Sequence, residues 1–496
     1  VYTREEEFGV APVRHPTVIR SKTGMKKDGT WVAQETEIIF DTGAYADIGP
    51  RVSRTAGLSA AGPYRIPNVR IDSYCVYTNH PLGGAFRGFG TPQVTWALES
   101  HLDRIAEELG IDPLELRLKN AVEEGSISPT GQVLHSVGVK EALSHAAKSI
   151  DWGKDPGPYL GKGIACMHKP TVTPSSSGAF VKLNEDGSAT VMSSAVEMGQ
   201  GVSTVLAQIA SEALSIPIEK ISVVPPDTEV TPYDMATVAS RSTFFAGNAV
   251  RMAAIDARRQ LLEIAARLFQ VAPGNLVLKD GHVLLPGTPE KIIPIEKLPL
   301  GEAYYLGVKK KGKGKPVLGH GVHIVEDATP LDRETGQGKN PSAFWMYAAQ
   351  AAEVEVDPRT GRVRVLRLSA AHDLGKAIHP VSAEGQIQGA LLMGLGTTLF
   401  EQMVLEEGHV RNRSFEEYRI PTALDAPQMI PILIEAPHQL GPYGAKGLGE
   451  PALAPTAAAI ANAIYAAVGV RVKDLPITPE KILEGLKKRG ASKIDA

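Results

Sequence analysis

The sequence predicts a mixed fold of helices and strands, long enough at 496 residues for two or three domains, and three observations carry that expectation. β-Branched and aromatic runs recur in pairs turned at Asp-Gly. Apolar stretches recur with helical spacing. At five places a loop of small residues runs into one of those apolar stretches.

Residues 1–80 read mostly as strands and turns: 17–21, 31–40 and 69–77 are strand-like, and Lys27-Asp28-Gly29 turns the first two into a hairpin. A helix follows 83–93 with the face Val94, Ala97, Leu98, Leu102, Ile105 and Leu109, and Asp112-Pro113 starts the next by cap and first-turn chemistry. The polar stretch 123–132 and the Pro/Gly-rich 153–161 mark a domain boundary. Beyond it come a hairpin (179–183 with 189–193, turned at Asp186-Gly187), the helix 202–214, the strand 221–224 and a helix ending near Gln270. Residues 301–337 look irregular, 353–356 pairs with 362–370, an Ala-rich buried helix spans 456–468, and Thr478-Pro479 starts the last helix.

Composition narrows the function. Fifty-two Lys and Arg against 55 Asp and Glu leave a net charge of −3, no footprint for nucleic acid. The run Lys309, Lys310, Lys311, Lys313, Lys315 is broken by glycines and reads as a solvated loop. Apolar stretches are interrupted by Asn or Gly, so no membrane span is expected. Cys75 and Cys166 lack ligand spacing, cannot alone hold an iron–sulfur cluster, and fit a reducing, cytoplasmic compartment. Opening on Val1, the chain reads as a fragment or one piece of a divided subunit.

The five loops are 83–93, 197–201, 239–247, 385–389 and 441–450. Helix N-termini present unpaired N–H groups, so several converging would bind a polyanionic cofactor; any single one is ordinary packing grammar. The last loop, four glycines within about nine residues, ends at Glu450. That carboxylate is either a helix-start residue favoured by the dipole, the commoner case, or a general base facing whatever the glycines hold. HExxH, the P-loop and a strand-embedded GxGxxG are absent.

The strings AFRGFGTPQ, EMGQG, ASRSTFFAGNAV, GQIQGA and GAKGLGEP, in this order, resemble the molybdenum-binding subunit of the xanthine dehydrogenase and aldehyde oxidase family, over residues 1 to about 486. The resemblance implies an α+β fold with the molybdenum pyranopterin between two subdomains, 1–150 (incomplete at its N-terminus) and 151–496. The cofactor would be molybdenum–molybdopterin, as the cytosine dinucleotide. Glu450 would be the catalytic base in hydroxylating an electron-poor carbon of an N-heterocycle, aldehyde or related substrate, with oxygen from water. Arg87 and Ala239 would lie around the molybdenum without ligating it, and Phe89, with Arg87, would contact substrate. Gly199, Gln200, Gly201, Ala239, Ser240, Arg241, Gln386, Gly444, Ala445, Lys446 and Gly447 would cradle the cofactor.

Electrons would leave through an iron–sulfur subunit, with an FAD subunit beyond it, and a companion chain would supply the family's missing N-terminal part. Thr55 stands where purine-oxidising members carry an arginine, and Thr173 where they carry a second phenylalanine, which counts against xanthine as substrate. Gly88 stands where carbon monoxide dehydrogenases carry a copper-binding cysteine. Reductive dehydroxylation of an aromatic coenzyme A thioester is the same-family alternative, and a non-catalytic cofactor-binding subunit the alternative from another class. Retention of Glu450, Arg87 and Phe89 together weighs against the latter.

Overall fold

The computed structural model describes residues 1–289, 292–298, 315–332 and 334–492. Lys309 to Lys313 of the basic run lie outside them, while Lys315 stands 3.8 Å from Glu263.

The chain opens with a short helix, α1 (Arg4–Val10), where strands and turns were expected. It owes its start to a reciprocal cap: Thr3 Oγ1 accepts from Glu6 N–H and Glu6 Oε2 accepts from Thr3 N–H. β1 (Thr17–Met25) and β2 (Trp31–Asp41) form the expected antiparallel hairpin. A second unexpected helix, α2 (Gly49–Ser59), crosses the sheet so that β3 (Asn68–Val76) pairs parallel to β2. Its Gly, Ser, Arg and Thr residues obscure the buried Val52 and Ala56, which pack with Ile38, Phe40 and Val94. α3 (Thr91–Leu109) buries Val94, Leu98 and Leu102, and α4 (Pro113–Asn120) is capped by Asp112, whose Oδ1 accepts from Leu114 and Glu115 N–H. α5 (Val139–Ser149) follows.

Two four-stranded sheets organise the rest. β4 (Leu160–Pro170), β5 (Ser176–Leu183) and β6 (Ala189–Ser193) lead into α6 (Val202–Leu214), β7 (Ile221–Val224) and the long α7 (Ser242–Phe269). β8 (Val277–Lys279), β9 (His282–Leu284) and β10 (Ile292–Pro294) make a small sheet. β11 (Leu318–Ile324), inside the stretch expected to be irregular, completes the order β11-β5-β6-β7. β12 (Trp345–Val356) and β13 (Val363–Asp373) form the expected hairpin, lengthened at both outer ends. They are followed by α8 (Pro380–Leu399), the two-residue pair β14 (Leu405–Glu406) and β15 (His409–Val410), β16 (Gln428–Ile434), α9 (Thr456–Val468) and α10 (Pro479–Ser492). The second sheet has the order β16-β13-β12-β4, with β16 parallel to β13.

Helices reach the two sheets by the same device, alanine on glycine. A Cβ at Gly163 of β4 would stand 2.2 Å from the Ala463 amide of α9, and one at Gly319 of β11 would stand 2.0 Å from the Ala253 carbonyl of α7. Only a residue without Cβ permits that approach. The stretch Pro451–Val468 has the length and hydropathy to cross a membrane, but 78% of it is buried in this packing.

One buried ionic cluster ties the early helices to the second sheet. Glu99 of α3 is fully buried; its carboxylate accepts from Tyr64 O–H (2.6 Å), Arg117 Nε (2.7 Å) and Cys166 N–H of β4 (2.9 Å). Its carbonyl accepts from Arg117 Nη2 and from Asn462 of α9. Burial opposes the Arg117 charge, but Glu99, Tyr64 and Asp103 outweigh it and hold the guanidinium's pKa above its usual value. Burial also pushes the Cys166 thiol well up, leaving it inert. Arg117→Met strands the Glu99 charge and should cost about 3–5 kcal/mol in urea unfolding, with Arg117→Met/Glu99→Leu recovering much of the loss.

Candidate functional site

Three loops meet at Glu450. The first is the turn before α3, where Gly88 (φ 97°), Phe89 (φ 50°) and Gly90 (φ 87°) are all left-handed. Glycine on either side makes that geometry accessible. The turn sends Arg87 toward the last loop and α8, where Nε donates to Gly449 O at 2.6 Å and Nη2 donates to Gln386 O (3.1 Å) and Oε1 (3.2 Å). Phe89, partly exposed, packs against Ile38, Phe40, Val52 and Val94. A Cβ at Gly88 would stand 2.5 Å from Pro92 Cγ, so a cysteine there would need the turn rebuilt.

The second loop, 227–241, is anchored by Arg241. All five of its donors are taken: by Ser175 Oγ, Asp234 Oδ1, Ala236 O, Ser176 O and Ser177 Oγ. The guanidinium of Arg241 is therefore fully engaged within the protein. It holds the loop that carries Ala239 and Ser240, both left-handed at φ 52° and 54° without being glycine. Thr171 Oγ1 donates to Ala239 O at 3.0 Å and fixes the same segment.

The third loop, 441–450, is anchored by Lys446, whose buried Nζ lies between Asp373 Oδ2 (2.7 Å) and Ser136 O (2.8 Å) and whose N–H donates to Leu374 O. Its ammonium is thus held inside the protein. Gly444 O accepts from Lys376 and His438 N–H, and Ala445 is buried behind it. A Cβ at Gly447 would lie 1.5 Å from Ser240 O, so this loop and the second are in direct contact.

Glu450 closes the arrangement. Its N–H donates to Ser240 Oγ (3.0 Å), and its Oε2 accepts from Ser240 Oγ (3.4 Å) and from Lys169 Nζ (2.8 Å). Oε1 has no hydrogen-bond partner among the described residues. The side chains of Glu450 and Lys169 are 16% and 2% exposed.

Lys169 was not singled out from sequence. The available signal was a lysine inside the otherwise uncharged run IACMHKP, which needs a counter-ion once the strand is buried. Arg14 was missed as well. Its Nη2 donates to Arg87 O at 2.8 Å, its guanidinium lies 4.3 Å from the Phe86 ring centre, and its buried Nη1 is unpartnered. Burial lowers its pKa to about 10, against the pull of Glu401 and Glu450.

Two expected loops differ. In 197–201 the amides before α6 are already satisfied by the chain itself: Glu197 Oε1 accepts from Gly199 and Gly201 N–H and Oε2 from Ser203 N–H. Gln200 closes on Met198 N–H and Val196 O. Burial would raise the Glu197 pKa, but these amides prevail and hold it below the usual range. Residues 385–389 are not a loop at all. They lie inside α8, which starts at Pro380 with His379 Nδ1 accepting from Ser382 N–H. Glycines at 385 and 389 suggested a break, yet both sit on an open helix face where a Cβ would meet nothing within 4 Å, as at Gly199.

The residues present fit an anionic polar group laid along the Arg87–Glu450 edge. Arg87 Nη1 has no partner among the described residues, and both ring nitrogens of fully buried His372 are unsatisfied. Burial, with Arg87's charge adding to it, lowers the His372 pKa to about 3, so the ring stays neutral. Among the described residues no group of three or more His, Cys, Asp or Glu side chains is placed to hold a metal ion. Two surface hollows of about 510 and 550 Å³, beside Tyr465 and Arg267, include none of these residues.

Three loops thus meet at Glu450, with the Arg87 guanidinium bound to the neighbouring Gly449 carbonyl, and the comparisons with known proteins give this arrangement its class. The model for the molybdopterin cofactor-binding domain matches residues 136–427, and a second of that description matches 1–121. The chain is 34% identical to the xanthine dehydrogenase molybdenum-binding subunit of Escherichia coli O157:H7 over 499 residues, covering 97% of this chain and 64% of that one. The aldehyde oxidoreductase structure from Desulfovibrio gigas superimposes with a TM-score of 0.83 at 31% identity, over 98% of this chain and 51% of that one. Quinoline 2-oxidoreductase from Pseudomonas putida 86 gives 0.86 at 27%, over 98% and 64%. The chain belongs to the family of the molybdenum-binding subunits of xanthine dehydrogenases and aldehyde oxidoreductases, and spans between half and two thirds of these relatives' length.

Two outcomes follow from the loop contacts. Gly447→Ala should abolish cofactor retention, measured as molybdenum per chain, because the added Cβ displaces Ser240. Glu197→Gln should speed hydrogen exchange at Gly199, Gly201 and Ser203 at neutral pH. Because the carboxylate's folded pKa is depressed, its stabilising effect is complete above the unfolded value of about 4.5. The difference between variant and wild type should therefore shrink as pH falls through the lower, folded value.

Proposed function

We propose that this chain is the molybdopterin-holding part of a molybdenum hydroxylase, with residues 1–150 and 151–496 as the halves around the cofactor and Glu450 as the general base. The observation that carries the reading is the asymmetry of Glu450: Oε2 is held by Lys169 and Ser240, while Oε1 is unpaired beside Arg87's loop. An oriented carboxylate with one unpaired oxygen suits proton abstraction.

Arg87, Gln386, the backbone of Gly447 to Gly449 and the open faces of Gly199, Gly385 and Gly389 would hold the cofactor, taken as the cytosine dinucleotide. When bound, the molybdenum centre supplies acidification of water and a two-electron sink. Glu450 Oε1 receives the proton released by the water that becomes the product oxygen. Arg87, fixed by three hydrogen bonds, orients an electron-poor substrate such as an N-heterocycle or aldehyde, and Phe89 offers its partly exposed ring to aromatic ones. Electrons pass to an iron–sulfur partner, with a flavin subunit beyond. A companion segment would supply remaining length that these longer relatives carry. The unpaired cysteines suit the cytoplasm.

In the complex with its partners, Glu450→Gln should keep its molybdenum and lose turnover about 10²–10⁴-fold, the usual weight of a general base. Substantial turnover in that variant would remove Glu450 from the role.

A further inference from the structure

We propose that Lys169 is a positioning residue for Glu450, engaging Oε2 so that Oε1 is the oxygen that accepts the proton. This rests on Glu450 being the base, and adds a second, charged participant from a different strand.

Lysine is almost never fully buried without a partner, and Lys169 is 1% exposed. Its ammonium has two acceptors: Glu450 Oε2 at 2.8 Å and Pro170 O at 3.3 Å. The pair is held from both sides. β4 pairs with β12 so that Lys169 lies opposite the buried Met346, and two residues earlier Met167 packs with Ala348 and with Ala454, four residues past Glu450. Strand and loop are therefore joined by apolar packing as well as by charge, and the ammonium has no solvent to retreat to.

A carboxylate has lone pairs for about four hydrogen bonds, two on each oxygen. Lys169 and Ser240 both direct theirs to Oε2, while the Glu450 N–H is fixed to the same Ser240 hydroxyl. Every anchor thus falls on one edge of the residue. The contact fixes the carboxylate's rotamer, which removes orientational freedom before reaction. Lys169 also relays the fold to the site, because Cys166, three residues earlier on β4, donates its N–H to Glu99. A counter-ion needed only for folding would produce a different pattern: stability would fall, and activity would fall only with lost cofactor.

The test uses the cofactor-loaded complex with Lys169→Met, Lys169→Arg, Glu450→Gln and the double variant Lys169→Met/Glu450→Gln. Molybdenum content and urea unfolding are read beside kcat and KM. Lys169→Met is expected to retain molybdenum, to lose about 100-fold in kcat with KM nearly unchanged, and to be largely restored by Lys169→Arg. The unfolding penalties of Lys169→Met and Glu450→Gln should be non-additive, as for groups in contact. Wild-type kcat in Lys169→Met, a loss only in proportion to missing molybdenum, or additive unfolding penalties would each overturn the inference while leaving an inactive Glu450→Gln intact. An active Glu450→Gln would instead overturn the reading of Glu450 as base, and the role assigned to Lys169 with it.

Discussion

The fully buried carboxylate of Glu99 is the constraint on which the rest depends. A charge there is tolerable only if it is paired and hydrogen-bonded, and the donors that meet it come from separate parts of the chain: Tyr64, Arg117 on α4 and the Cys166 backbone of β4. Asn462 of α9 reaches its carbonyl. The cluster therefore sets where β4 and α9 stand relative to the early helices. β4 carries Lys169, and α9 begins six residues after Glu450, so the same constraint sets the spacing of the ion pair at the site.

The charged side chains of the cradle mostly serve the cradle itself. Arg241 spends every donor tying Asp234 and Ala236 of its own loop to Ser175, Ser176 and Ser177, Lys446 is buried on Asp373, and Glu197 fills the amides before α6. Burial pushes the Asp373 pKa up and the Lys446 pKa down, so their contact must offset the loss of solvation of both. What remains for a ligand is backbone at open glycines and one nitrogen of Arg87. Such a surface recognises a large polar cofactor by shape and by hydrogen bonds distributed along it.

Local chemistry made much of this legible. The hairpins at Asp28-Gly29 and Asp186-Gly187, the cap at Asp112 and the Ala-rich helix at 456–468 each depend on neighbours in sequence, and each stands as expected. β4 was hidden because a strand covered on both faces has no alternation to read, and its first residues fell in a Pro/Gly-rich stretch taken as a boundary. α2 was hidden by polar and small residues, and the glycines of 385–389 imitated a loop within α8.

The sequence by itself determined the family, the order of the glycine motifs and the identity of Glu450 as the residue at the end of the last one, because these are properties of adjacent residues. Only the tertiary structure decided what each motif side chain does. Whether an Arg, Lys or Glu faces a ligand or its own backbone depends on which distant acceptors the fold brings within 3 Å, and Lys169 and Glu450, 281 positions apart in sequence, meet only because β4 and the last loop pack together.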